Sequence, residues 1–444
     1  MNSSEKDKLK SQTQKRYLWL RFKNGVKSVK SSKARRYALI VFNALVILIW
    51  IFNKNRFSLD NVELVSPAFL ALSKLTLPII LVGGTALLCI LFGTPIGSNK
   101  ITNELNRIGL TNSAGETPIL IAKYNDKVKT EVEIFEFDGV GIPLAEWDNK
   151  KGRIEAALNV HIVNLTEGKN KRGILLYTVS AGNSLTTKLD WNNSYLSKDN
   201  STLVLGKSLL SVVTVDLAKI PHILLGGSTG SGKSVLLKLL LMQTIKKDFH
   251  VSIADFKGGV DFPPVWHTKC RICIDEERLI ELLTELVNEL ERRKVIFRES
   301  GAANLNEYNK TATNKLQRYI FACDEVAEVL DKTGLTKEQK EKVSLIESKL
   351  SVIARQGRAF GIHLILATQR PDANILSGQI RNNIDCRVCG RADNVLSQII
   401  LDSAAAAEQI PKDIAGRFML YDGTIFQGFW FGLSEIESVT PDKL

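Results

Sequence analysis

The stretch ILLGGSTGSGKSVLLKLLL, residues 223–241, decides the fold class of this 444-residue chain. Its apolar start predicts a strand, its glycines predict a tight turn, and its leucine-rich end predicts a helix that begins at Lys233. The turn, GSTGSGKS at residues 227–234, matches the pattern G-x-x-x-x-G-K-[ST]. Backbone N–H groups of such a loop point at phosphates, and the helix dipole adds to the attraction. The stretch therefore predicts a site for a nucleoside triphosphate.

Within this loop, two side chains have predicted roles. We expect Lys233 to reach the β- and γ-phosphates of ATP and Ser234 to ligate Mg²⁺. A chance glycine turn can carry the same letters, but the strand before it, the helix after it and an acidic strand downstream argue against that alternative. The predicted cofactors are therefore ATP and Mg²⁺, and the predicted cradle is Gly227, Ser228, Thr229, Gly230, Ser231, Gly232, Lys233 and Ser234.

The downstream acidic strand is YIFACDE, residues 319–325. Its apolar run places Asp324 and Glu325 at the strand tip, where Asp324 would complete the Mg²⁺ shell and Glu325 would orient and deprotonate a water molecule. Acidic pairs after apolar runs are common, so the pair gains its meaning from the loop at 227–234. The combination favours hydrolysis over a kinase, for which we identify no acceptor site.

A third predicted strand, HLILATQRP at residues 363–371, ends in Thr368, Gln369 and Arg370. An amide at this position can contact the γ-phosphate or the attacking water, although an ordinary strand end carries the same letters. Arg355 and Arg358 close the helix before it. Such arginines complement the helix dipole, or reach a neighbouring subunit as an arginine finger.

From about residue 218 the sequence alternates between strand and helix patterns, with helices predicted at 233–245, 275–299 and near 340–358. Repeated strand–helix units predict an α/β fold with a mostly parallel sheet that is covered on both faces. Ligands of such sheets bind beyond the carboxyl ends of the strands. The predicted site residues fall at those ends.

The N-terminal part of the chain has a different composition. Residues 1–36 hold twelve Lys or Arg against Glu5 and Asp7, and so carry +10 of the formal net charge of +12. The uncharged runs at 37–52 and 75–92 predict two transmembrane helices, with a short outer loop carrying Lys54, Arg56 and Lys74. The chain is therefore predicted to lie in the cell membrane. The positive-inside bias then places the N-terminus and everything after Phe92 on the cytoplasmic side. The alternatives are a buried helical hairpin, a cleaved signal peptide, and a tail that binds nucleic acid.

Between the apolar runs and the predicted sheet lies a connecting region. TEVEIFEF (130–137) and GILLYTVS (173–180) predict strands on either side of a helix at 143–159, which together indicate a small α+β module. The segment at 190–202 is interpreted as a linker. The predicted regions are a basic tail (1–36), a transmembrane hairpin (37–92), the connector (93–200) and the ATPase motor (201–444).

Two C-x-x-C pairs, Cys270 with Cys273 and Cys386 with Cys389, suggest zinc ligands at first inspection. Each pair lies in a short apolar run that predicts a strand. Residues three apart on a strand point to opposite faces and cannot chelate one ion together. Core cysteines in a reducing cytosol are the better interpretation.

Four ordered stretches carry a family resemblance: residues 204–235, 289–309, 319–330 and 351–371. Together they resemble the FtsK/SpoIIIE family of DNA-translocating ATPases. The resemblance implies a RecA-like motor that assembles as a hexameric ring, hydrolyses ATP at subunit interfaces and moves DNA through the pore. It also implies a sensor role for Gln369 and a trans-acting role for Arg358, with Arg355 as the second choice. Asp255 and Lys257 match the D-P-K stretch of the family, although Phe256 replaces the proline.

The chain also departs from the chromosome-segregating members, which usually have four membrane spans, a long linker and a winged-helix module. Two spans and a short connector are similar to FtsK-like coupling proteins of conjugative plasmids and transposons of Gram-positive bacteria, and residues 105–120 add to that likeness. The resemblance implies DNA, a relaxase and secretion-channel proteins as partners. The alternatives are a chromosome-segregation translocase of cell division or sporulation, a protein-secretion ATPase, and a membrane adaptor whose assembly is gated by ATP.

Overall fold

A computed structural model of the chain describes residues 3–57, 75–127, 129–182, 185–369 and 375–438. The chain divides into two compact units, residues 1–183 and residues 184–444. The four predicted regions, with their limits at residues 36, 92 and 200, remain a prediction.

The first unit begins with helices. Among the described residues, Lys33–Phe52 is the one helical stretch that is long and apolar enough to cross a membrane. The second predicted span forms a helix of 17 residues, which at 1.5 Å per residue covers about 26 Å of a ~30 Å hydrocarbon layer. Two spans are therefore not confirmed, and most of the predicted outer loop lies outside the described residues. The helices are Ser3–Ser31, Lys33–Phe57, Thr76–Phe92 and Ser98–Arg107.

The basic N-terminal segment is helical and packs within the first unit. Asn24 Nδ2 donates a hydrogen bond of 3.2 Å to the Ile121 carbonyl, and an Arg16 guanidinium nitrogen lies 3.4 Å from Asp138 Oδ2. These contacts attach the helix to the connector sheet.

The connector is a small α+β module, as its sequence predicted. Four antiparallel strands lie in the order β1-β2-β4-β3, and the helices Leu144–Asn149 and Lys151–Leu158 lie between β2 and β3 in the chain. Phe137, Trp147 and Leu176 belong to its buried core. The strands are β1 (Ile119–Asn125), β2 (Glu133–Asp138), β3 (Val160–Glu167) and β4 (Gly173–Ser180).

The second unit contains a ten-stranded sheet in the order β6-β5-β14-β13-β12-β7-β11-β10-β8-β9. The six strands from β12 to β9 run parallel, which confirms the predicted parallel sheet. The other four continue it as antiparallel strands, which the prediction did not include. The strands are β5 (Thr202–Ser208), β6 (Val212–Asp216), β7 (Ile223–Gly226), β8 (His250–Ala254), β9 (Arg271–Cys273), β10 (Tyr319–Cys323), β11 (Ile362–Thr368), β12 (Cys386–Cys389), β13 (Arg417–Leu420) and β14 (Ile425–Gly428).

Helices cover both faces of this sheet, and the strand side chains alternate between two cores. In β10, Phe321 and Cys323 belong to one core, while Ile320 and Ala322 belong to the other. This alternation explains why the parallel strands are apolar at nearly every position. The helices of the unit are Lys233–Lys246, Pro264–His267, Glu276–Ser300, Leu305–Thr311, Val326–Leu330, Lys337–Phe360, Gly378–Arg381, Asn394–Leu401, Ala405–Gln409 and Ser434–Glu437.

The segment interpreted as a linker packs into the second unit. The Trp191 N–H donates a 2.7 Å hydrogen bond to the Trp430 carbonyl, and the Trp191 ring meets Phe429 edge to face at 5.7 Å between centroids. That interpretation was wrong, since a free linker would expose this aromatic residue.

The paired cysteines are all buried, as expected of core residues. Burial raises the pKa of Cys270 to about 12 and that of Cys386 to about 12. Thiols with such pKa values stay protonated at neutral pH.

Candidate nucleotide-binding site

The glycine-rich loop lies at the carboxyl end of β7, and the following helix begins at Lys233 as predicted. Gly230 and Gly232 adopt φ values of 76° and 93°, a region that favours glycine. A Cβ at Gly232 would lie 2.8 Å from the Gly416 nitrogen. The local fold therefore requires glycine at 232 for both its backbone angle and the close approach of another chain segment.

Asp324 lies directly beyond β10 and joins the two predicted side chains of the loop. Ser234 Oγ donates a 2.9 Å hydrogen bond to Asp324 Oδ1. Lys233 Nζ donates to the Asp324 carbonyl oxygen at 2.5 Å and lies 3.6 Å from Oδ1. Both charged side chains are 3% exposed, so a buried ion pair stands at the start of the loop helix.

A further lysine shares this carboxylate. Lys257 Nζ lies 3.2 Å from Asp324 Oδ2 and 3.2 Å from Asp261 Oδ2. Burial alone would raise the pKa of Asp324, but the charge of Lys233, the hydrogen bonds from Ser234 and Lys257, and the charge of Lys257 lower it below its ordinary value. Asp324 therefore stays ionised at neutral pH.

Glu325 lies next to the carboxyl end of β11, where each of its two side-chain oxygens accepts a hydrogen bond from a different residue. Thr368 Oγ1 donates to Glu325 Oε1 and the Gln369 backbone N–H donates to Oε2, each at 2.9 Å. The Gln369 side chain in turn accepts a 2.8 Å hydrogen bond from Thr229 Oγ1 in the glycine-rich loop. Thus the structure brings Glu325, Gln369 and the loop together, as their positions at adjacent strand ends predicted.

Arg391 is a site residue that the sequence prediction missed. Its guanidinium donates to the Thr229 carbonyl and, at 2.6 Å, to the Lys412 carbonyl. Its own carbonyl accepts hydrogen bonds from the Ser228 N–H and Oγ, at 2.8 and 2.7 Å. Because β12 is a parallel neighbour of β7, a polar residue just beyond CRVC could have been assigned to the same end of the sheet.

The predicted trans-acting arginines lie at the other end of β11. Arg358 Nε donates to the Ala218 carbonyl at 3.2 Å, and Arg355 Nε donates to the Ser351 carbonyl of its own helix at 3.2 Å. The seven residues of β11 separate them from Gln369 by about 20 Å. Neither arginine joins the loop of its own chain, and their trans-acting role stays a prediction. Arg370 lies outside the described residues.

The residues present fit a magnesium-bound triphosphate. Ser231 Oγ is buried within the loop without a hydrogen-bond partner among the described residues. No side chain caps the helix at Gly232, so the backbone N–H groups of its first turn remain available to a phosphate in the loop. Ser234 and Asp324 supply the hard oxygen ligands that Mg²⁺ prefers. Across the described residues, no group of three or more His, Cys, Asp or Glu could hold a metal by itself.

A phosphate cradle after β7, a buried lysine and two carboxylates at the end of the parallel strand β10 define a P-loop ATPase fold and site. The FtsK/SpoIIIE family profile matches residues 189–373. A solved structure described as the monomer form of the pCW3 conjugation coupling protein TcpA with ATPγS is 33% identical, with a TM-score of 0.58, over 78% of this chain and 97% of that one. The chain belongs to the FtsK/SpoIIIE family.

Curated relatives support the same family. The DNA translocase FtsK of Chlorobaculum tepidum is 31% identical over 270 residues, 55% of this chain and 32% of that protein. The DNA translocase FtsK of Helicobacter pylori is 32% identical over 220 residues, 46% of this chain and 25% of that protein. The chain spans about a quarter to a third of the length of these relatives.

Proposed function

We propose that this protein is a membrane-anchored, ATP-driven DNA translocase that acts as the coupling protein of a conjugative element. The observation that carries the proposal is the convergence of Lys233, Ser234 and Asp324 on one side of the site and Glu325 with Gln369 on the other. Binding groups and a water-activating carboxylate are the two things that ATP hydrolysis requires.

The proposed roles follow from the contacts. When bound, ATP supplies the reactive γ-phosphoryl group and the free energy of its hydrolysis. Lys233 neutralises phosphate charge, and Ser234 with Asp324 holds Mg²⁺. Glu325, held by Thr368 and by the Gln369 backbone, orients a water molecule and accepts its proton. Gln369, tied to Thr229, senses the phosphate end of the loop.

The DNA substrate is supported by family membership and by two curated relatives that are named DNA translocases. The coupling role is supported by the similarity to the conjugation coupling protein TcpA, which extends over 78% of the chain. The curated relatives match between 46% and 65% of the chain. The longer similarity favours conjugation over chromosome segregation, with a relaxase and secretion-channel proteins as partners.

The membrane anchor and the ring are further parts of the proposal. Lys33–Phe52 supports one membrane span. We propose Thr76–Phe92 as a second span, which is short enough that it would cross with little tilt and locally thin the bilayer. The N-terminus and the motor would then both be cytoplasmic. We also propose a hexameric ring, because Arg358 lies at the opposite end of β11 from the site of its own chain.

DNA-stimulated ATP hydrolysis tests the translocase proposal. We expect the full chain, purified in detergent, to hydrolyse ATP faster with DNA, and this stimulation to weaken steeply as salt concentration rises. Separate single-stranded and double-stranded DNAs of equal length identify the substrate. Unchanged hydrolysis with either DNA, together with stimulation by a secreted protein substrate, would replace the proposal by a protein-secretion ATPase.

Mixed rings test the proposed role of Arg358. We expect Arg358→Ala to abolish hydrolysis while nucleotide binding persists, and mixing with Glu325→Gln subunits to restore part of the activity. A mixed interface combines an intact Glu325 with an intact Arg358 when the Arg358→Ala subunit supplies the site and the Glu325→Gln subunit supplies the arginine. The reverse interface lacks both. Loss of nucleotide binding in Arg358→Ala, without rescue, would assign this arginine a structural role.

A further inference from the structure

Lys257 lies on a segment that the nucleotide-binding motifs do not include. It follows β8, and its backbone N–H donates a 3.1 Å hydrogen bond to Asp255 Oδ1. Asp255 is 2% exposed, so this bond fixes the start of the Lys257 side chain beside the site. The Lys257 side chain itself is 36% exposed and reaches Asp324 from the solvent side.

Asp324 therefore contacts two lysines, one on each side of its carboxylate. Lys233 and Ser234 contact the Oδ1 side, while Lys257 contacts Oδ2. Ser234 Oγ would offer a lone pair to a cation while its hydroxyl keeps the 2.9 Å hydrogen bond to Asp324 Oδ1, and Lys233 would turn toward phosphate. Lys257 then becomes the lysine that remains on the metal-binding carboxylate.

We propose that Lys257 is a positioning residue of the metal site, which orients the Asp324 carboxylate and at the same time weakens its attraction for Mg²⁺. This inference rests on the proposed ATPase function. An ammonium group at 3.2 Å from Oδ2 fixes the plane of the carboxylate through a charge-assisted hydrogen bond. Its positive charge also repels a divalent cation that approaches Oδ1.

The two effects have opposite signs in a variant that lacks the charge. Lys257→Met keeps the length of the side chain but removes the ammonium group, so Mg²⁺ should bind more tightly while hydrolysis slows. A purely structural role of Lys257 would weaken both. This split between metal affinity and turnover is what separates positioning from general damage.

Asp261 provides an independent variant with the reverse effect on metal affinity. It accepts from Lys257 Nζ at 3.2 Å and draws part of the lysine charge away from Asp324. Asp261→Asn removes a negative charge near the metal site and leaves Lys257 to Asp324 alone. Mg²⁺ should then bind more weakly than in the unaltered protein.

The experiment is a Mg²⁺ titration of the full chain in the presence of a fluorescent, non-hydrolysable ATP analogue. We expect the half-saturating Mg²⁺ concentration to fall about three- to tenfold in Lys257→Met and to rise in Asp261→Asn, since one unit charge a few ångströms away is altered in a partly solvated site. Lys257→Arg should stay within about twofold of the unaltered protein.

The matched control is Lys294→Met, which removes a lysine of similar exposure, 29%, that is paired with Glu291 on its own helix. It should leave the Mg²⁺ titration unchanged. Normal binding by the unaltered protein with an unchanged or raised half-saturating concentration in Lys257→Met overturns the inference about Lys257. Failure of the unaltered protein to bind the analogue with Mg²⁺ instead overturns the proposed ATPase function on which the inference rests.

Discussion

The two ends of the parallel strands in the second unit both hold buried polar side chains, but the hydrogen bonds of these side chains differ. At the amino end, His222 Nε2 donates to Ala354 O at 3.1 Å and His222 Nδ1 accepts from the Leu364 N–H at 2.9 Å. His363 bonds Pro221 O through Nδ1 and Arg318 through Nε2, both at 3.0 Å. These bonds use both ring nitrogens of each histidine, one as donor and one as acceptor. Each imidazole is therefore neutral, and we call this network closed because neither ring has a nitrogen left for a ligand.

The carboxyl end instead holds polar groups with partners that can be exchanged. Ser231 Oγ and Asp255 Oδ2 are buried without hydrogen-bond partners among the described residues, and two lysines share the single carboxylate of Asp324. Closed networks specify a fold, whereas incompletely satisfied charged groups are suited to receive a ligand. The comparison assigns stability to the amino end and chemistry to the carboxyl end.

The largest effect is expected at the carboxyl end, in Glu325→Gln. This change keeps the shape of the side chain, and the amide oxygen can still accept from the Gln369 N–H while the amide nitrogen donates to Thr368 Oγ1. It removes the proposed base, so hydrolysis should fall about 10²- to 10⁴-fold. Nucleotide affinity should stay near that of the unaltered protein. Equal losses of nucleotide binding and of hydrolysis would show that Glu325 maintains the structure of the site and does not act as a base.

At the amino end, the strongest expected effect is on stability. Arg318 is 4% exposed and donates to His363 Nε2 and, at 2.6 Å, to Asn306 Oδ1. Arg318→Ala leaves His363 Nε2 buried without its donor, whereas the exposed Asn306 can bond to water, and the change should cost about 2 kcal/mol. The apparent melting temperature of the full chain should fall by several degrees, and the affinity for an ATP analogue should change little in the fraction that remains folded.

The control for that variant is Arg292→Ala, because the Arg292 side chain is 53% exposed and pairs with Glu289 on the same helix. It should change stability by less than about 1 kcal/mol. Equal losses in the two variants would remove the distinction between a closed network and a surface pair.

Acid should destabilise the amino end selectively. Burial lowers the pKa of His222 to about 4, and burial lowers the pKa of His363 well below its ordinary value. The unfolded chain therefore takes up these protons first, below about pH 6.5, and the free energy of unfolding falls as the pH drops from 6.5 to 4, by about 3 kcal/mol for His222. Melting temperatures across this range should show a shallower dependence in His222→Asn, and an unchanged slope would contradict the assignment.

The smallest effect is expected for the contact between Gln369 and Thr229. Gln369→Ala removes one hydrogen bond of 2.8 Å and should slow hydrolysis about three- to tenfold. Thr229→Ala should have a similar effect, and the double variant should be no slower than either single one if the shared bond is the cause. Additive losses would show that the two side chains act separately.

The carboxyl end was largely predictable from the sequence. The loop at 227–234, the Asp324–Glu325 pair and Gln369 each follow an apolar run, and the rule that parallel strands bring their carboxyl ends together predicted their meeting. Arg391 and the contact of Lys257 with Asp324 were not predicted, because they depend on neighbouring strand order and on side-chain conformation.

The amino end could not be predicted, because His222, His363 and Arg318 come from three separate segments and follow no spacing pattern. Two hairpins, β5–β6 and β13–β14, extend the sheet. They join each other and the parallel strands through the long-range pairs β14–β5 and β12–β13, which periodicity does not specify. The predicted second membrane span stays a prediction, because the helix there has 17 residues, Thr76–Phe92.

The central claim is that the carboxyl end of the sheet is an ATP-hydrolysing site, and Lys233→Ala tests it most directly. The measurement is ATP hydrolysis by the full chain, compared with the Lys294→Met control and with melting temperatures recorded for all three proteins. We predict that Lys233→Ala reduces hydrolysis to the background level while the control is unaffected. The variant should still unfold cooperatively, at a melting temperature lowered by loss of the buried pair with Asp324. Sustained hydrolysis by folded Lys233→Ala would contradict the assignment.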